Sequence, residues 1–432
     1  MGATSLEFID RHTHNTMTVD RYRLSNGLVV LHQESHRAAL VSYQTWFRVG
    51  SGDELAGKTG IAHLFEHLMF KGTHTVPEGE FDRRLEGVGG RLNAATWLDW
   101  TYFYEDVPSD ALAEVVTLEA DRMANLRLEP APFASEREVV LNERRECVDN
   151  DPHGLLSELL WHSVFPTHPY GQPTIGWMGD IEGITLDDCL GFYDTYYAPN
   201  NAVVVVAGDV DRDGLEALIG PAYGHLPARP IPSRRRVAVA PQTESRRVER
   251  ALPLGADRLL LGYAGASVLD DDAVALDVLS EVLGGGDSAR LQRALVTEGE
   301  VASGAYTSVS SIAQSGVFEI AVDLRGGHPA EEAETIILDT VSDVAAGDVT
   351  EAEVRRATNK LETRFFRGLA TTQQRALSIG YWEATAGDFR RLFDFAERCR
   401  EVTLAQVTEV ARRVLDPQRR NVVIGRSRGV ES

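Results

Sequence analysis

Two histidines and a glutamate stand within the five residues His63-Leu64-Phe65-Glu66-His67. His63 and His67 are spaced i, i+4, the interval that stacks two side chains on one face of an α-helix. Two imidazoles so placed can grip one zinc ion. A catalytic zinc usually takes three protein ligands and leaves a fourth position to water. Glu66 lies on the same turn, close enough to serve that water. Zinc lowers the pKa of bound water, and a carboxylate can take its proton. The spacing H-x-x-E-H inverts the commoner H-E-x-x-H. The plain alternative is a helix with two satisfied histidines and an exposed glutamate. A third ligand has to come from elsewhere. A helix expected over 135–149 carries Glu136 and Glu143, two turns apart on one face. Carboxylates this dense also suit an ordinary solvated helix face.

The elements that position these groups are legible around them. Thr59 or Gly60 can start a helix and Lys71-Gly72 can end it, while Ile61, Leu64, Phe65 and Leu68 recur between at helical spacing. Upstream, RYRL, LVVLHQ and LVSYQTWFRVG read as strands. Downstream, 89–107 alternates and is rich in aromatic residues, which predicts a strand. Helices are expected over 109–126 and 135–149, the second opened by a capping box of Ser135 and Glu138. Further helices are expected at 154–164, 185–197 and 213–224, with a buried strand at 200–210. Residues 226–247 carry four prolines and an arginine run; they read as an interdomain linker with Arg234, Arg235 and Arg236 solvated. Beyond it the signals partly recur. Strands are expected at 259–265, 301–309 and 316–323, and helices at 271–283, 329–345, 351–370 and 389–414. The terminal RRNVVIGRS echoes PNNAVVVVAGDV. This predicts two similar α/β halves, 15–228 and 248–428, joined by a linker at 229–247. Only the first contains HLFEH.

The bulk numbers narrow the function. The 432 residues exceed one ordinary core, and 43% hydrophobic with 25% charged residues is a globular profile. A formal charge of −22 argues against nucleic acid, which needs a basic face. No apolar run reaches membrane-spanning length, and the first 27 residues lack the basic start and apolar stretch of a secretory leader. Cys147, Cys189 and Cys399 are too few for a disulfide framework and form no C-x-x-C pair; they read as buried thiols in a reducing cytoplasm. His162 and His168 read as structural, Trp97, Trp100 and Phe103 as core or pocket walls, and the GGGDS turn lacks the ending of a phosphate-binding loop.

Several stretches together resemble the pitrilysin and mitochondrial-processing-peptidase family of inverted zinc peptidases. They are GIAHLFEHLMFKGT, GGRLNAATWLDWTYFY, EREVVLNE, HPYGQPTIG and LGGGDSARL, in a similarity running from about Arg21 to about Arg426. The resemblance implies that His63, His67 and Glu143 hold the metal and that Glu66 is the general base. It implies that Glu136 is a supporting carboxylate that orients a histidine and tunes its basicity. It implies that an extended peptide binds along the strand edge at Asn93 and Ala94. The implied fold is α+β: two homologous halves, each a mainly antiparallel sheet with helices on one face, forming half of a clamshell. The cofactor implied is Zn2+, although two histidines and a glutamate also accept cobalt or manganese.

In one respect the sequence departs from that family. Single-chain and homodimeric members carry, in the second half, an arginine followed seven residues later by a tyrosine that holds the substrate carbonyl and the developing oxyanion. Aligned on Ser288-Ala289-Arg290-Leu291, those positions fall on Val296 and Ser303. Arg290, Arg293 and Tyr306 are nearby at the wrong spacing. The expectation is a heterodimer in which a related, non-catalytic partner supplies the pair. A homodimer with other donors, and a non-cleaving peptide-binding or assembly subunit, are the alternatives.

Overall fold

The structure, a computed structural model, describes residues 5–428. The chain runs through β1 (Glu7–His14), β2 (Met17–Arg23), β3 (Val29–Glu34), β4 (Leu40–Phe47), α1 (Ile61–Leu68) and α2 (Glu80–Gly87). Then follow β5 (Arg91–Thr96), β6 (Thr101–Pro108), α3 (Leu112–Asn125), α4 (Pro130–Arg144), α5 (Pro152–Val164), α6 (Met178–Gly183) and α7 (Leu186–Tyr196). Next are β7 (Ala202–Gly208), α8 (Arg212–Tyr223), β8 (Arg246–Leu252), β9 (Arg258–Gly265), α9 (Asp272–Gly284), β10 (Ala302–Ser311) and β11 (Gly316–Leu324). The chain ends with α10 (Ala330–Ala346), α11 (Glu351–Arg367), α12 (Thr372–Ala386), α13 (Arg391–Glu401), α14 (Leu404–Val414) and β12 (Asn421–Ser427). It forms two compact units that are not linear segments. The first is Met1–Asn142, Thr174–Arg235 and Arg367–Phe393; the second is Glu143–Pro173, Arg236–Phe366 and Asp394–Ser432.

The first unit holds a seven-stranded sheet ordered β1-β2-β3-β7-β4-β6-β5, antiparallel except where β3 pairs with β7. Its centre has no wet face. Along β4, Val41, Tyr43 and Phe47 enter the main core with Leu64 and Phe65 of α1, Val115 of α3 and Ile219 of α8. The alternate residues Ser42, Gln44 and Trp46 are also buried, because α12 covers that side. Gly380 of α12 sits on the Trp46 indole, where a Cβ would come within 2.1 Å of Nε1. The expected helix layer is therefore present, and one helix from late in the chain covers the middle of the opposite face.

The second unit holds a five-stranded sheet ordered β10-β11-β9-β12-β8, with only the β12–β8 pair parallel. Helices α9, α10, α11 and α14 cover one face. Helix α5, from early in the chain, covers the other, with Leu156 and Leu160 packed on Leu260, Ala321 and Val423. Here the glycines are on the sheet: a Cβ on Gly262 or Gly425 would come within 2.8 Å of Leu160 or Leu156.

Several sequence expectations need correction. Residues 89–107 form the β5–β6 hairpin rather than one strand, with Trp97 N–H donating to Trp100 O at 2.9 Å. Helix α4 starts at Pro130, so Ser135 and Glu138 are exposed inside it and do not cap it. Proline suits the first helical turn because its missing N–H would be unpaired there anyway. The expected helix 389–414 is two, broken before Thr403, which caps α14 through Gln406. Arg234 is not a solvated member of the arginine run: its guanidinium grips Asp53 at 2.7 Å and the Asp99 carbonyl at 2.6 Å. Cys189 and Cys399 are buried thiols, but Cys147 is exposed. Among the described residues no helix is long and apolar enough to cross a membrane.

Candidate metal centre

Helix α1 has a dry face and a chemical face. Ile61, Ala62, Leu64, Phe65 and Leu68 are buried, and the Phe65 ring lies 4.3 Å from that of Tyr197. His63, Glu66 and His67 share the other, half-buried face. The helix start is held tightly. Glu54 accepts from the Gly60 and Ala62 N–H groups at 2.9 Å each, placing a carboxylate at the electropositive end. Gly60 (φ 89°) crosses Gly176 (φ 90°), and a Cβ on either would reach 2.4 Å from a backbone oxygen of the other segment. Neither position tolerates a side chain, so the register of α1 is fixed against residues 175–176.

One ligand atom each from His63, His67 and Glu143 lie within 4.8 Å of one another, and among the described residues they form the one such group of metal donors. The histidine rings are 4.8 Å apart at 64°. Two nitrogens and a carboxylate oxygen are a donor set suited to a divalent first-row metal. Glu143 comes from α4, immediately before the wider π turn Arg145–Asp149. Two turns earlier on α4, Glu136 is buried and accepts from His67 Nδ1 at 2.9 Å. With Nδ1 donating, Nε2 is the nitrogen left to bind a metal. Lys71 Nζ also reaches Glu136, at 2.6 Å. Burial alone would raise the Glu136 carboxyl, but the donors His67 and Lys71 outweigh it and hold it below the usual range.

Glu66 Oε2 accepts from Thr96 Oγ1 at 2.5 Å. Thr96 ends β5, the outermost strand of its sheet on that side. Asn93 lies exposed on β5, and its Oδ1 accepts from the Ala94 N–H at 2.9 Å. Arg122 of α3 is buried with Glu105 at 3.3 Å and with Glu119, its guanidinium 4.3 Å from the Phe103 ring centre. Burial, reinforced by the charge of Glu119, pushes the Glu105 carboxyl well up. This cluster ties α3 to β6. Sequence reasoning missed Thr96, Lys71 and Arg122. None had a usable signal: strand alternation puts Thr96 on the same face as Ala94, but nothing local links it to Glu66.

His162 and His168 are bound to backbone, their ring nitrogens 3.1 Å from Gly171 O and 3.0 Å from Val237 O. Phe103 is core, and Trp100 packs with Trp46 and Tyr102 on the far side of the sheet.

Residues 29–177 match the profile of the insulinase family (peptidase family M16), and residues 183–361 match the peptidase M16 inactive domain. The chain is 31% identical over 400 residues to the zinc protease PqqE of Helicobacter pylori, covering 90% of this chain and 88% of that one. The chain belongs to peptidase family M16. It is a metalloprotease, and its second, "inactive" M16 domain is the half without an H-x-x-E-H motif. The crystal structure of a protease from Helicobacter pylori superposes with a TM-score of 0.89 at 28% identity, covering 94% of this M16 chain and 99% of that one. A probable mitochondrial-processing peptidase subunit beta of Arabidopsis thaliana is 26% identical over 378 residues, covering 84% of this chain and 70% of that one.

Proposed function

We propose that this chain is the catalytic subunit of a zinc endopeptidase that hydrolyses short or unfolded peptides, leader or signal peptides among them. The observation that carries this reading is the convergence of Glu143 of α4 with His63 and His67 of α1 within 4.8 Å, Glu66 lying on the same face of α1 as the histidines. A zinc ion held by these three would polarise the scissile carbonyl and acidify its bound water. Glu66 takes the proton of the attacking water and returns it to the leaving amine. Glu136 fixes His67 in the ligating tautomer. Asn93 and Ala94 receive the substrate as an added strand along β5, where backbone pairing gives affinity with little demand on sequence. The Asn93 side chain gives up the Ala94 N–H when that strand arrives.

The arginine and tyrosine that hold the carbonyl come, in this reading, from a related partner lacking H-x-x-E-H. Their positions are Val296, on a π turn, and Ser303, whose hydroxyl donates to Asp323 O at 3.1 Å. The nearby arginines are committed: Arg290 to Glu353 at 2.7 Å and Arg293 to Glu298 at 2.7 Å. The Arabidopsis relative is itself named as a subunit. The metal residues all fall within 15–228, the segment we assign as catalytic, with 229–247 as connector and 248–428 as the metal-free counterpart. Free cysteines and the charge of −22 support a cytoplasmic chain with no nucleic-acid or membrane partner.

The missing pair would equally suit a non-cleaving peptide-binding or assembly subunit, but the intact metal residues favour catalysis. Cleavage of a quenched unfolded peptide separates the readings. The zinc-loaded chain should be active only when mixed with a related subunit lacking the motif, and Glu66→Gln should abolish that activity. Robust cleavage by a verified monomer or homodimer would overturn the divided site. No cleavage by any mixture would leave the binding subunit.

A further inference from the structure

We infer that Thr96 is a positioning residue for the general base, fixing which oxygen of Glu66 does the chemistry. The inference rests on the reading of Glu66 as base. Thr96 Oγ1 donates to Glu66 Oε2 at 2.5 Å, from the strand proposed to receive the peptide. A carboxylate beside a dication has two competing uses. It can turn toward the metal and become a ligand, or stay back and accept a proton from water. Charge-assisted hydrogen bonds are among the strong ones and are directional. By committing Oε2, Thr96 leaves the base work to Oε1 and opposes rotation toward the metal.

The support for Thr96 is rigid. It pairs with Thr101, which is buried and donates to Val49 O at 3.0 Å. The turn beyond Thr96 is pinned by Ser51 N–H on Trp97 O at 3.0 Å and Gly52 N–H on Leu98 O at 2.8 Å. Gly50 passes so close that a Cβ there would lie 2.1 Å from Trp97 O. Arg234 holds the same turn at Asp99. Phe65, the residue before Glu66, packs on Tyr197 at 4.3 Å, so the helix side of the hydrogen bond is equally fixed. Base and substrate strand are thereby held in one register by one hydroxyl.

The test compares Thr96→Val, Thr96→Ala and Thr96→Ser with wild type and Glu66→Gln, in the active assembly. Removing the hydroxyl should lower kcat about 10–100-fold, the range for a hydrogen bond to a charged group, with KM and zinc stoichiometry unchanged. Thr96→Ser should restore kcat to within about threefold, since the hydroxyl returns without the methyl. With cobalt in place of zinc, Thr96→Val should weaken the visible absorption as the carboxylate joins the metal. That change should vanish in the Glu66→Gln background. If valine is not accommodated, alanine, which adds no bulk, carries the same expectations. Wild-type kcat and an unchanged cobalt spectrum in a folded, hydroxyl-free variant would overturn the inference. An active Glu66→Gln would overturn the reading of the base instead, whatever the Thr96 variants do.

Discussion

Glu136 divides its oxygens between two donors, Oε1 with His67 Nδ1 at 2.9 Å and Oε2 with Lys71 Nζ at 2.6 Å. The His67 and Lys71 donors together keep the carboxylate charged despite its burial, and the charge raises the basicity of the opposite histidine nitrogen. Glu136→Gln should therefore weaken zinc binding by about 10–100-fold with little loss of fold, measured by competition with a chelating indicator. At this scale the sequence was informative where chemistry is local. His63, Glu66 and His67 are set by one helix, and Glu136 and Glu143 by another, so spacing alone groups each set. Thr96 and Lys71 were silent because their importance lies in a partner far away in sequence. A threonine at the end of a strand looks like any other until the helix above it is placed.

Among the elements, α12 is the clearest case of a signal lost. Its sequence TQQRALSIGYWEATA has no simple apolar face, and Gly380 weakens it further as a helix. The glycine is needed because Trp46 fills the space a side chain would take. Gly380→Ala should lose about 1–2 kcal/mol despite the better helix former, since overpacking a buried contact outweighs propensity. Urea unfolding would show a lower midpoint at constant slope. The hairpin turn WLDW was illegible for a related reason. It lacks the usual glycine or asparagine and is held instead by Ser51, Gly52 and Arg234. Helix α11 opens with Glu353 bound to Arg290 at 2.7 Å and to Thr350. The Arg290 hydrogen bond holds that carboxyl down to about 2. A depressed carboxyl stabilises above its unfolded pKa, near about 4.3, and loses that contribution as pH falls toward the folded value. The Tm deficit of Glu353→Gln should therefore be largest above about pH 5 and shrink steadily in acid.

For the whole molecule, the two-part α+β plan was readable from repeated signals, but its stitching was not. The repeat suggested a cut in the connector, whereas α5 serves the second unit and α12 the first. Such an exchange leaves no periodicity, because each helix looks local until its sheet is known. Fragments 1–235 and 236–432 should each be insoluble, or bind a hydrophobic dye, when expressed alone. Co-expressed, they should co-purify as one folded species. Soluble, dye-negative fragment 1–235 would show that α12 is dispensable.

The exchange also sets a clock. Trp46 is synthesised more than three hundred residues before the glycine that covers it. At ribosomal speeds of about 5–20 residues per second, that side of the first sheet waits roughly 15 s to a minute for its cover. During that interval the nascent chain presents a partly apolar sheet face, Trp46 beside Ser42 and Gln44, with no permanent owner. Yield in the cell should therefore depend on translation rate and chaperone supply as much as on the stability of the finished protein.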